Sequence, residues 1–600
     1  MGDVLTRPWP THDPPGPEAD TPGGEEPGSL TTTAPLGPLR RPPDQARWRP
    51  GTPWSDRVGR AREGCRHLAG RRHFDSSLVV VLMALSLALR WRTLWASYWG
   101  DEAIAIGIAV HPISALPHYL VNDGSPPLYY VMLHYWMRLF GQSEPATHLL
   151  SLIPGLACVP AAWWSASRLF GRWAARASAA MVATCAYLAY YSTETRMYSW
   201  LVLTAILAVT CFVLAFQGAG RRYWVMATLL MACVLYFQYY GLYLLAATVI
   251  VGSLAAAGAG SWSQLRATWA YGTACAALFA PWVPQFLYQL RNTGAPWAPH
   301  PSPLDFFGDS FNALASAAWA AIVVCLVVAV RDRRRRPRPV RRPPRRLVDV
   351  PRARPGVLVF GGVALTTLVL AWLVGQVVNS WNPRYLGIAV VPALVPLAGA
   401  LSRARGRTVV LVGTVAALAA TSVPLLVDRS ITVETSKSDV GYLASELASL
   451  LRPGALVISP EVTDTPVVAI DLGAGYRYAT PFGLLSDPMA VNWSNLTARL
   501  ESTNGTSNIR ALLNALPVGG QVLVVNPTSW GGGETPRTYA GPVEAEAIAA
   551  TTAVLTDPQL QYIIKEGVPQ GSSPLYPMTA TLFVKIQTAS NQPASGEGGI

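Results

Sequence analysis

Residues 98–102, Tyr98-Trp99-Gly100-Asp101-Glu102, follow directly on the apolar segment 76–99, and the reading of that junction decides the fold. A membrane span needs about 20 mostly apolar residues, and 76–99 supplies the first. Two adjacent carboxylates where a span meets water are expensive to place, so they are functional-site candidates by default. Further charges stand at other span ends: Glu194 and Arg196 in the stretch Tyr190–Tyr198, and Arg384 after Pro383. The chain is 51% hydrophobic and only 14% charged, which is low for a soluble protein. Comparable apolar stretches recur up to about residue 427.

The net charge of +13 does not point to nucleic acid. Much of it lies in Arg331–Arg354, a proline-broken basic run between two apolar segments. Short basic loops between spans are cytoplasmic and meet anionic lipid. Arg57–Arg72 likewise keeps the amino terminus inside, so Asp101 and Glu102 are expected outside. The same alternation puts Glu194–Arg196, Asn379–Arg384 and everything after Asp428 outside. Residues 1–73, rich in Pro, Gly and Arg, read as a disordered cytoplasmic tail before a retained first span. The seven cysteines form no CxxC pair, so no zinc site or disulfide framework is indicated.

The expected fold class is a mostly α, polytopic membrane protein. Residues 74–428 would form a bundle of roughly 11 to 13 transmembrane helices, with a catalytic outer loop at 98–125 and a basic cytoplasmic loop at 331–355. The parity of the charged loops does not accommodate both 126–140 and 145–168 as spans, so one of them is expected to be re-entrant or interfacial. The prolines and short apolar runs of 102–125 suggest a helix on the membrane surface. After Asp428 the pattern changes. Ala455–Ser459, Gln521–Val525 and Thr581–Lys585 read as buried strands, with helical patterns at Val440–Leu451, Ile509–Leu516 and Val543–Ala553. Residues 429–586 are therefore expected to form a small extracytoplasmic α/β domain, followed by a disordered tail, 587–600. Gly531–Gly533 lacks the Lys and the helix of a phosphate loop.

These residues suit one kind of chemistry. A polyprenyl phosphate headgroup lies at the interface and carries negative charge, and a guanidinium fork matches phosphate oxygens. Arg384 and Arg196 fit that need. An acceptor hydroxyl must lose a proton as a glycosidic bond forms, which calls for a carboxylate within hydrogen-bond reach. Asp101 fits, with Glu102 or Glu194 positioning the acceptor or tuning the base. Plainer roles stand beside these. Asp101 and Glu102 can cap the helix that starts near Ala103. Glu194 and Arg196 can form a structural ion pair, and Asp123 can be a turn residue before Gly124. Arg384 at a helix start opposes the helix dipole, which argues for a bound anion. His111, His118 and His134 have no metal-ligand spacing.

The motifs resemble those of GT-C glycosyltransferases. Asp101-Glu102 after the first span is similar to their first-loop acidic motif. Ser125-Pro126-Pro127-Leu128-Tyr129-Tyr130, Leu139-Phe140-Gly141, Arg168-Leu169-Phe170-Gly171, Tyr191–Tyr198 and Pro383-Arg384-Tyr385-Leu386 resemble the pattern of family 39 and the lipid A aminoarabinose transferases. The resemblance covers roughly 76–400 and leaves out the tail and the final domain. It implies a polyprenyl-phosphate-sugar donor, an inverting transfer of a sugar (mannose is one candidate) to a cell-envelope glycan, lipid or protein, and Asp101 as catalytic base. It implies substrate contacts at Glu102, Asp123, Tyr129, Glu194, Arg196, Tyr198, Arg384 and Tyr385. No cofactor is required, and GT-C relatives differ on whether a divalent cation assists. Two departures concern the acceptor: Ser125 stands where relatives have His, and Thr193-Glu194-Thr195-Arg196 where they have Gln-Glu-Ala-Arg. A transporter or flippase of lipid-linked sugars is the main alternative, and a non-catalytic assembly protein a third. Transporters place polar groups at mid-membrane, whereas charges here gather at span ends.

Overall fold

The computed structural model describes residues 74–293, 300–312, 355–403, 408, 412–416, 419–420, 437–527, 542–567 and 576–586. The tails 1–73 and 587–600, the loop Arg331–Arg354, Gly531–Gly533 and most of the apolar segments 309–330 and 408–427 lie outside the described residues.

Phe74–Trp95, Glu144–Leu169, Tyr198–Phe216, Gly241–Gly258 and Gly356–Gly375 are long and apolar enough to cross a membrane. Shorter helices pack among them, including Arg221–Phe237, Trp262–Phe279 and Gly387–Leu401. Residues 172–191 form two helices, Arg172–Ala183 and Ala186–Tyr191. Leu128–Phe140 has 13 residues, a rise of about 20 Å, while Glu144–Leu169 has 26. Of the two, only Glu144–Leu169 is long and apolar enough to cross a membrane.

The outer-loop expectation needs one correction. Residues 102–125 form two helices, Gly100–Val110 and Leu116–Asp123, and the first is not a surface helix. It is buried from Glu102 to Ala109, packed between Leu128–Phe140 and the helix Thr465–Leu472 of the C-terminal domain. Ala103-Ile104-Ala105-Ile106-Gly107-Ile108-Ala109 is apolar all round, so it has no polar face to offer water.

The C-terminal domain is a mixed six-stranded sheet in the order β3-β2-β1-β4-β6-β5. Its strands are β1 Leu456–Ile458, β2 Arg477–Thr480, β3 Gly483–Leu484, β4 Gln521–Pro527, β5 Leu560–Glu566 and β6 Met578–Lys585. β1 runs parallel to β2 and β4, and the other pairings are antiparallel. Alternation along the strands sorts the two faces. Leu456, Ile458, Val522 and Val524 pack with Ile509, Leu513, Ala550 and Val554 of the helices Gly505–Ala515 and Pro542–Leu555. Val457, Leu523, Val525 and Leu582 turn the other way, into the core that continues into the helical bundle. Bundle and sheet belong to one compact unit, Ala69–Ile600.

The junction is close. A Cβ at Gly107 would run into the Met489 carbonyl, and a backbone on each side leaves little room to yield. Gly107→Ala is therefore expected to cost about 1–3 kcal/mol, as overpacking does, read as a lowered unfolding temperature of the full protein in detergent. The junction also buries carboxyls. Burial pushes Glu461 up to about 7 from an ordinary 4.5. Asp464, which accepts the Tyr576 hydroxyl at 3.0 Å, is raised well above its usual value by burial and then by Glu461. The native state thus keeps a proton that the unfolded chain releases between about pH 4.5 and 7, and stability falls as pH rises through that window. A thermal-unfolding series from pH 5 to pH 8 should show the decline, and Glu461→Gln should flatten it.

Candidate active site

Asp101 and Glu102 open the helix Gly100–Val110, and the two side chains go separate ways. Glu102 makes the cap: its Oε2 accepts from the Trp99 N–H at 3.4 Å. The rest of the carboxylate is fully buried. Lys437 Nζ donates to both of its oxygens at 2.8 Å, and the Thr195 N–H donates to Oε1 at 2.6 Å. His148 Nε2 stands 2.9 Å from Oε1. Burial alone would raise this carboxyl, but Lys437 and His148 outweigh it and hold it down at about 2. Lys437 also donates to the Thr193 carbonyl at 2.8 Å. One buried ion pair therefore ties the first-loop helix, the 193–195 turn and the entry to the C-terminal domain together.

Asp101 faces a cavity of about 450 Å³. Its Oδ2 pairs with the Arg384 guanidinium. Arg384 sits on the 3₁₀ turn Pro383–Tyr385 ahead of the helix Gly387–Leu401. Its Nε donates to Asn382 Oδ1 at 3.1 Å, and the guanidinium lies over the Trp99 ring. The anion facing this cation at a helix start is thus the Asp101 carboxylate. Arg196 approaches from another turn and donates to the Asp101 carbonyl at 3.2 Å and to the Tyr130 hydroxyl at 3.4 Å. Tyr130 in turn donates to Asp123 Oδ2 at 3.0 Å. Asp123 ends its helix, and Gly124 follows at φ 87°, a left-handed conformation that favours glycine. Burial raises the Asp123 carboxyl despite the nearby Arg196.

Of the residues expected from the sequence, Asp101, Asp123, Arg196 and Tyr385 line the cavity, and Arg384 reaches it through Asp101. Glu102, Glu194, Tyr129 and Tyr198 are fully buried and are not on its wall. Tyr129 stands 3.4 Å from Ser151 Oγ, which donates to the Arg196 carbonyl at 2.9 Å. Tyr198 lies beneath the Arg196 guanidinium. Gln238, Tyr240, Tyr243, Gln289 and Trp493 also line the cavity and escaped the sequence reading, as did His148 and Lys437. A signal for Lys437 existed: it is one of three lysines in the chain, with Lys565 and Lys585, against a large majority of arginines. Among the described residues no group of three His, Cys, Asp or Glu side chains is placed to hold a metal ion.

The cavity wall therefore carries two carboxylates, Asp101 and Asp123, and the Arg196 guanidinium, with the Arg384 guanidinium paired to Asp101 behind it. Apolar and aromatic side chains such as Leu242, Phe286 and Val378 complete the wall.

Residues 124–284 match the family described as dolichyl-phosphate-mannose-protein mannosyltransferase. That stretch holds the 125–130 and 191–198 motifs and leaves out Asp101 and Arg384. No curated protein matches the chain in sequence. Among solved structures, ArnT from Cupriavidus metallidurans in the apo state is similar with a TM-score of 0.57 at 15% identity, over 84% of this chain and 98% of that one. The same protein bound to undecaprenyl phosphate gives 0.56 at 16% identity, with the same coverage. The apo oligosaccharyltransferase of Archaeoglobus fulgidus gives only 0.46 at 12% identity, over 76% of this chain and 70% of that one. The ArnT likeness establishes the fold: an ArnT-like helical membrane bundle followed by a small mixed-sheet domain.

Proposed function

We propose that this chain is an integral membrane glycosyltransferase that moves a sugar from a polyprenyl-phosphate-sugar donor to an acceptor hydroxyl at the outer face of the membrane. The observation that carries the reading is the convergence of Asp101, Asp123, Arg196 and the Asp101–Arg384 pair on one cavity, drawn from segments far apart in sequence. The fold shared with ArnT, and the undecaprenyl phosphate named with that protein, support the donor class. The mannosyltransferase match over 124–284 supports mannose as the first sugar to try.

In this mechanism the donor phosphate meets Arg384 and Arg196, and Asp101, relieved of its partner, accepts the proton of the acceptor hydroxyl. The acceptor oxygen forms its bond to the anomeric carbon as the bond from that carbon to the phosphate oxygen breaks. The electron pair leaves with polyprenyl phosphate, whose charge the guanidinium groups hold. Attack from the face opposite the leaving group inverts the configuration. Arg384→Ala should therefore weaken donor use more than acceptor use.

The test supplies membranes carrying the protein with labelled mannose on polyprenyl phosphate or on a nucleotide. Label reaching a product from the lipid donor alone supports the reading, and label from the nucleotide alone overturns it. Movement of intact donor across sealed vesicles without bond cleavage would favour the translocator instead.

A further inference from the structure

We propose that the segment Asp487–Asn495 of the C-terminal domain forms the acceptor subsite of this cavity, and that the acceptor is a neutral carbohydrate whose ring stacks on Trp493. The proposal rests on the glycosyl-transfer reading above.

The segment is fastened across the elements that build the cavity. The Trp493 N–H donates to the Asn122 carbonyl at 2.9 Å and the Asn495 N–H to the Asn292 carbonyl at 2.8 Å. Ser494 Oγ donates to Asn122 Oδ1 at 3.2 Å. Asp487 Oδ2 accepts the Tyr119 hydroxyl at 3.2 Å and lies 2.9 Å from His111 Nε2. Those contacts bind it to the helices Leu116–Asp123 and Val283–Asn292, which carry Asp123 and Gln289. Asn495 has φ 49° and is the one non-glycine with positive φ among the described residues. Such a conformation persists where its surroundings over-determine it, and it clusters at ligand sites.

Trp493 is then held as a platform. Its indole packs against Leu496 and Leu500 and still lines the same cavity as Asp101. A pyranose presents an apolar C–H face that suits a flat ring, and its hydroxyls suit neutral, partly exposed partners such as Asn379 and Ser380 on the same wall. Charge narrows the class further. Among the described residues, Arg196 is the one cationic side chain lining the cavity, with Arg384 behind Asp101, and the donor phosphate needs both. A phosphorylated acceptor headgroup would compete for them, whereas a neutral glycan would not.

The experiment uses the full-length protein in detergent with polyprenyl-phosphate-[¹⁴C]mannose as donor. Acceptor probes are a panel of neutral oligosaccharides and a Ser/Thr-rich peptide. Wild type is compared with Trp493→Ala and Trp493→Phe, each checked by thermal unfolding. Labelled oligosaccharide is expected, with the acceptor KM raised about tenfold in Trp493→Ala, the scale of a lost aromatic contact. Donor KM should stay unchanged, and Trp493→Phe should recover most of the loss. A rise in donor KM alone, an unmoved acceptor KM, or label on the peptide and on no oligosaccharide would overturn the subsite while leaving glycosyl transfer standing. No release of mannose from the donor by the wild type with any probe would overturn both.

Discussion

Lys437→Met is expected to destabilise the protein by roughly 3–5 kcal/mol, the scale of breaking a buried ion pair by removing one partner. Lys437 and Glu102 are both fully buried, and the ammonium meets both Glu102 oxygens and the Thr193 carbonyl. Without it, Glu102 keeps His148 and the Thr195 N–H but loses the opposite charge that offsets its burial. The Glu102 carboxyl is depressed, so its contribution is fully present above about pH 4.5 and is lost as pH falls toward 2. The loss should therefore be complete at neutral pH. Glu102→Gln combined with Lys437→Met removes both charges together, and the pair should recover much of the stability that Lys437→Met alone loses. Thermal or denaturant unfolding in detergent reads both effects. A Lys437→Met protein as stable as wild type would mean that the pair does not hold the junction. Because Glu102 follows Asp101 directly, a loosened pair should also lower transfer.

Asp101→Asn should lower transfer by a factor of about 10²–10⁴, the usual contribution of a positioned base, with little change in folding. Asparagine keeps the size of the side chain and removes its capacity to take a proton at neutral pH. The side chain is 25% exposed, so its loss leaves no deeply buried orphan. Arg384 keeps its hydrogen bond to Asn382. Steady-state kinetics should show the fall in kcat with donor KM little altered. An equal fall with Asp123→Asn alone would move the base to that carboxylate.

Part of the candidate site was legible because it depends on local chemistry. A charge at the end of an apolar run is conspicuous, and Asp101, Arg196 and Arg384 stand at such ends. Lys437 and Trp493 were not legible as site residues. Lys437 lies 335 residues along the chain from Glu102, and Trp493 bonds across the chain to Asn122, each in or beside a domain whose docking the sequence does not spell out. The sheet divides the same way. β1, β4 and β6 are apolar runs buried on both faces, and these were the strands expected. β2 reads Arg-Tyr-Ala-Thr, and the edge strand β5 is mostly exposed, so neither presents an apolar run. The helix Gly100–Val110 was recognisable as a helix. Its burial was not, because that depends on the domain that covers it.

The most direct measurement is transfer of labelled mannose from polyprenyl phosphate by purified full-length protein, with wild type and Asp101→Asn compared at matched folding. The expected result is product with wild type and about a hundredth or less with the variant. Equal transfer by both would remove Asp101 as the base, and intact donor recovered with wild type would contradict the assignment of glycosyl transfer itself.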